Sequence, residues 1–300
     1  MPSGKALKLL PTVVIAATAF VYVVSNVRSV YSAPVNGGDL ARPGKLLAVG
    51  STARIGAVIG STVTRAVAGV PVVTGVVTGV VPGPHDAAHD EIEASTENAL
   101  GVLATNVKGL SHPSALRDAF ESYFAFKTAH PSEVRKPFLY FVDYGLSSST
   151  PRGYVFNMDK LSIVDGPFMV AHGRGSAPTA GGIPTRFSNA FGAATTSLGL
   201  YVAQSLYKFT GHSDGRAYHS VGLRLDGVSD GFNDNALSRG VVAHGAPYVT
   251  ATRAGRSEGC PAMETDRAKR LLPKLANGGL VFLFAPDSNW MTRDPWLTAG

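Results

Sequence analysis

The chain has 300 residues, 45% of them hydrophobic and 16% charged, with a net charge of +6. That length suits one or two domains, and the composition fits a globular protein carrying an extra apolar segment. The positive balance suits anionic surfaces such as wall polymers or phospholipid. No run of five basic residues occurs and aromatics are not interleaved with Lys and Arg, which argues against nucleic acid as a partner.

Lys5 and Lys8 precede the apolar run Leu9 to Val24. A basic flank before such a run reads as a signal peptide or a membrane anchor over residues 1–32. The protein is therefore expected to be exported, in the periplasm or cell envelope, and to meet the membrane through this segment if it is not cleaved. Residues 33–90 read as a low-complexity linker. They include VVTGVVTGVVPG, Val72 to Gly83, whose repeated glycines break helix and weaken strand.

From residue 91 the pattern is that of a folded domain, 91–300, with a helical segment first and a core over about 138–295. Ile92, Leu100, Leu103 and Val107 recur at helical spacing, and so do Leu116, Phe120, Tyr123 and Phe124 before Pro131. FLYFVDYGL, YVFNMDKLSIVDG, PFMVAHGRGS, SVGLRLDGV, RGVVAHGAPYVT and LVFLFAPD read as strands, and ETDRAKRLLPKLANGG as a late helix closed by Asn277-Gly278. Short strands with glycine turns predict a mostly-β domain with helices at its margin.

Cys260 is the only cysteine, within GRSEGCPAM. In an exported protein a lone cysteine cannot form an internal disulfide, so it is shielded or useful. A nucleophilic cysteine needs a base, N–H donors for an oxyanion and close approach of the backbone, which Gly259 permits. Ser257 is placed to donate to the site or to hold the turn. Eight histidines compete for the base role, and sequence order alone does not rank them. His244 stands out because it ends an apolar strand and Gly245 follows it; a hairpin from that strand would bring it to the cysteine turn. HDAAH, His85 to His89, has a metal-ligand spacing, but Asp stands where a metalloprotease helix has Glu. DGVSDGFNDNA lacks the glutamate of a calcium loop and reads as a turn.

Taken together, these segments resemble the murein L,D-transpeptidase catalytic domain family, related to the broader YkuD-type group. His244-Gly245 stands 16 residues before Cys260, within the order His-Gly then Ser-x-Gly-Cys. VAHG at Val170 to Gly173, FSN at Phe187 to Asn189, SLG at Ser197 to Gly199, NDNA at Asn233 to Ala236 and GRSEGCPA at Gly255 to Ala262 fit its branch-specific features. The resemblance implies a β-sandwich or barrel-like domain with flanking helices. It also implies a thioester between Cys260 and a peptidoglycan tetrapeptide stem, passed to an amine, or to water in an L,D-carboxypeptidase.

In that scheme His244 is the base, the Gly245 carbonyl orients its ring, and Ser257 with the Gly259 and Cys260 N–H groups shapes the oxyanion site. No cofactor or metal is implied. Two positions depart from the broader motif: Glu258 replaces a histidine, and Ala262 replaces an arginine associated with substrate binding. Arg256 and Arg239 are the candidate substitutes, with Asn235 and His172 completing the candidate substrate-binding set. A non-catalytic wall-binding protein that keeps the fold is the alternative from another class.

Overall fold

The structure, a computed structural model, describes residues 58–61, 77–80 and 84–297. The expected leader, 1–32, and most of the expected linker lie outside the described residues. Within the linker, β1 (Val58–Ser61) pairs antiparallel with β2 (Val77–Val80), in the valine-glycine repeat. Among the described residues no helix is long and apolar enough to cross a membrane.

Helix α1 (Pro84–Leu103) packs on α2 (Ala115–Ala129). The apolar stripe of α2 drives this arrangement, since Leu116, Phe120, Tyr123 and Phe126 recur on one face and are buried. Pro131 lies just beyond the C-cap, His130.

The rest of the domain is built on an eight-stranded mixed sheet. Its centre is β12 (Leu280–Phe284), LVFLF, wholly buried, as suits a strand covered on both faces. β12 runs parallel to β3 (Phe138–Asp143) and antiparallel to β7 (Gly199–Ser213). On one side the sheet continues through β4 (Gly153–Asn157) and β5 (Ser162–Phe168). On the other it continues through β8 (Arg216–Gly227), β9 (Val242–Gly245) and β11 (Ala262–Met263). Helix α2 covers β3 and β12, and α3 (Thr265–Leu275) covers β8 and β9. A short α4 (Ser288–Met291) buries Trp290 against Phe282 and Phe284. The domain is mostly β with helices at its margin.

Two short strands lie outside the large sheet. β6 (His172–Gly173) pairs in parallel with β10 (Arg256–Ser257), and an isolated bridge joins Ala171 to Ala262. The VAHG and GRSEGCPA segments are thereby stitched to each other. A satellite apolar cluster of Met169, Ala171, Ala246, Val249, Ala254 and Ala262 sits beneath them.

Three expectations change. PFMVAHGRGS is not one strand: Phe168 ends β5, and only His172 and Gly173 extend further on. The longest strand, β7, falls in a segment read for its SLG motif rather than as a strand; a register shift between Ala203 and Leu206 interrupts its alternation. Finally, β9 meets the cysteine segment in parallel, Ala262 opposite His244, rather than as a hairpin. A parallel partner needs a crossover, supplied by residues 246–261.

Candidate active site

Cys260 lies two residues before β11 and beside the start of β9. Its sulfur accepts a hydrogen bond from the Val242 N–H at 3.5 Å. Two residues further along β9, the His244 N–H donates to the Pro261 carbonyl at 3.3 Å. The histidine strand and the cysteine turn are thus held together by N–H groups of β9 that reach the Cys260 sulfur and the carbonyl of the next residue.

The His244 ring is buried and fixed by its neighbour. Nδ1 lies 3.3 Å from the Gly245 carbonyl oxygen, which can only accept, so Nδ1 carries the proton and Nε2 keeps its lone pair. Phe209 and Tyr248 flank the ring edge-to-face, at 5.8 and 6.4 Å. Phe209 in turn contacts Tyr207 and Tyr218. Burial lowers the His244 pKa, partly opposed by the Gly245 hydrogen bond. Cys260 is partly exposed as a residue, but its thiol is desolvated, and that burial raises its pKa. The Val242 N–H and the Arg239 charge pull the thiol down, while Glu258 pushes it up. Thiol and imidazole therefore both rest neutral near pH 7.

The turn before the sulfur is closed by Ser257. Its hydroxyl donates to the Cys260 carbonyl at 2.7 Å and accepts from the Gly259 N–H at 3.2 Å. The Gly259 N–H, expected at the oxyanion site, is engaged by Ser257, which holds the turn. Among the described residues the Cys260 N–H donates no hydrogen bond, which leaves it as the backbone donor beside the sulfur. Gly259 has φ +128°, and a Cβ there would lie 2.8 Å from the Thr195 oxygen. Only glycine lets the turn pack this closely.

Arg239 does not offer its guanidinium to a ligand. Nη1 donates to the Ser188 carbonyl at 3.0 Å and to Ser197 Oγ at 3.4 Å, and Nη2 to the Ala193 and Thr195 carbonyls at 3.1 and 3.2 Å. It fastens the segment that Gly259 packs against. Asn235 has a similar task, since its N–H donates to Asn189 Oδ1 and its Nδ2 to the Asn189 carbonyl. The FSN and NDNA segments are therefore clamped to each other. Arg256 is exposed and reaches the Pro178 carbonyl at 3.4 Å.

His172, expected among the substrate-binding residues, is fully buried. Arg152 Nη2 lies 3.0 Å from its Nδ1. A guanidinium only donates, so the His172 proton is on Nε2, which has no partner among the described residues. Burial, with the charges of Arg152 and Arg256, pushes the His172 pKa down to about 4. Arg152 is itself buried, donates to the Val170 and Leu146 carbonyls and lies over the Tyr144 ring. Its pKa is pulled down to about 10, chiefly by burial.

Two cavities flank the aromatic wall. One, of about 500 Å³, is lined by Lys208, Phe209, His219, Ser220 and Lys269 among others. The other, of about 350 Å³, is lined by Tyr248, Arg253 and Asp214 among others. Among the described residues no group of three His, Cys, Asp or Glu is placed to hold a metal ion. His89 of HDAAH is exposed on α1.

Sequence reasoning did not single out Arg152, Arg174 or the aromatic wall. Arg174, in the GRG of VAHGRGS, donates from Nε to both carboxylate oxygens of Glu258 at 2.8 and 2.9 Å. The glycines on each side of it were the available signal.

With this geometry in place, comparison with known proteins is informative. The L,D-transpeptidase catalytic domain matches residues 108–284, and the chain belongs to that family. No protein of curated function matches the chain. Solved structures similar to it include an L,D-transpeptidase from Mycobacterium smegmatis, at 15% identity and TM-score 0.30, over 50% of this chain and 59% of that one. Another is from Mycobacterium tuberculosis H37Rv, at 16% identity and TM-score 0.28, over 50% and 58%. A third, from Stackebrandtia nassauensis, has 15% identity and TM-score 0.30, over 63% and 74%. The chain spans less than two thirds of the length of the mycobacterial structures.

Proposed function

We propose that the protein is a peptidoglycan L,D-transpeptidase of the cell envelope, with Cys260 as nucleophile and His244 as base. The observation that carries this reading is the pairing of β9 with the cysteine segment. It sets the Cys260 sulfur on the Val242 N–H, while the Gly245 carbonyl holds His244 with Nε2 unprotonated.

The sulfur attacks the carbonyl at the L-centre of the stem's diamino acid, and its proton passes to His244 Nε2. The Cys260 N–H meets the developing oxyanion. Collapse breaks the amide bond, His244 returns the proton to the leaving amine of D-alanine, and the thioester remains. An amine of a second stem then attacks, His244 takes its proton, and the thiol re-forms as the new amide is made. Water in place of the amine gives L,D-carboxypeptidase activity. The buried, aromatic-walled histidine supports transfer, because it limits water at the base.

The full chain incubated with purified tetrapeptide stems and read by mass spectrometry tests this. Release of D-alanine with a new cross-link is expected, falling at least about 10³-fold in Cys260→Ala. Turnover that survives in that variant would overturn the assignment. Folded protein that binds stems without turnover would favour the wall-binding alternative.

A further inference from the structure

Resting on that reading, a stem bound for cleavage presents the free carboxylate of its terminal D-alanine close to the sulfur. A carboxylate there needs a cationic partner, and the fold has already committed most of the candidates. Arg239 is engaged by four acceptors of its own chain, Arg152 is buried, and Arg256 turns to the Pro178 carbonyl. Ala262 is fully buried opposite His244, so its position cannot offer a charge.

Arg174 remains. Its backbone N–H donates to the Ser257 carbonyl at 2.7 Å, which fixes it beside the cysteine turn. The Cα of its neighbour Gly173 sits so close to Gly259 that a Cβ there would lie 2.9 Å from the Gly259 Cα. The guanidinium is exposed and pairs with the exposed carboxylate of Glu258, two residues before the nucleophile. That carboxylate is near enough to the sulfur to raise the thiol pKa.

We propose that Arg174 is the receptor for the terminal carboxylate of the donor stem, and that Glu258 occupies it until the stem arrives. Arginine suits the role because its planar fork matches a carboxylate. An exposed ion pair is held weakly, so exchange of one carboxylate for another is easily made. The swap also moves the Glu258 charge off its guanidinium, and the site discriminates stems that end in a free carboxylate from those that end in another group.

The test is equilibrium binding to the full-length Cys260→Ala protein of two ligands: a tetrapeptide stem, and the same stem ending in a carboxamide. The carboxylate form is expected to bind about 10-fold tighter. Arg174→Gln should remove that preference, and Arg174→Lys should keep part of it. Glu258→Gln should enlarge it, because the resident competitor is gone. A preference that survives Arg174→Gln, or that shrinks in Glu258→Gln, overturns the proposal. If the wild-type chain turns over stems while Arg174→Gln leaves the preference intact, this inference alone falls. If the chain binds neither ligand and releases no D-alanine, the functional reading falls with it.

Discussion

Burial acts on both members of the proposed dyad in the same direction, toward the neutral form. His244 is held below the ordinary histidine value and the Cys260 thiol above the ordinary thiol value. A neutral pair works by proton transfer during attack rather than from a preformed thiolate–imidazolium pair. Activity then requires an unprotonated His244. The acid limb of kcat/KM is expected below pH 6.5, since the histidine protonates only below its usual value of about 6.5. Alkylation of Cys260 by iodoacetamide should rise with pH to a midpoint above the usual thiol value of about 8.5. An acid limb above 6.5, or a thiol that alkylates fully at pH 7, would show instead a charged resting pair.

At the scale of elements, the site is a junction of segments far apart in the chain. β6 aligns with β10, β11 with β9, and the segment from Ser188 to Ser197 is fastened over the turn by Arg239. A single guanidinium serving four acceptors concentrates the ordering of that segment in one side chain. Arg239→Met should lower global stability by about 2–4 kcal/mol, because the carbonyls lose charged donors and are left partly unsatisfied. It should also expose residues 188–197 to limited proteolysis under conditions where the native chain is intact. Cleavage rates unchanged in the variant would place the ordering of this segment elsewhere. The glycine-rich character of these segments follows from the same geometry, as Gly173 and Gly259 bring two backbones into contact where side chains would separate them.

For the whole molecule, the buried Arg152–His172 pair ties stability to pH. The folded chain keeps His172 neutral to about pH 4, while an unfolded histidine protonates near 6.5. Between those values the unfolded state binds the extra proton, so stability is full above pH 6.5 and falls as pH drops toward 4. The loss attributable to this group is on the order of 2 kcal/mol. Urea unfolding at pH 7, 5.5 and 4 measures it. His172→Gln keeps an acceptor for Arg152 and removes the titration, so its profile should be flatter over that range. A variant with the same acid slope as the native chain would assign the loss to carboxylates instead.

The sequence by itself determined the parts that depend on local spacing. The apolar stripe of α2, the all-buried run of β12 and the bracketed Ser257-Glu258-Gly259-Cys260 turn are each written in a few consecutive residues. His244-Gly245 was legible for the same reason, because a strand ending in a histidine and a glycine is a local pattern. The tertiary structure decided what depends on which strands become neighbours. β9 and the cysteine segment pair in parallel because residues 246–261 cross over between them. Arg239 and Asn235, candidate ligand contacts by residue type, face acceptors on a segment some 40 residues earlier and hold it in place. Glu258 meets Arg174 across 84 residues of chain only because β6 and β10 align. A residue's type fixes which bonds it can make; the sheet order fixes which partner is within reach.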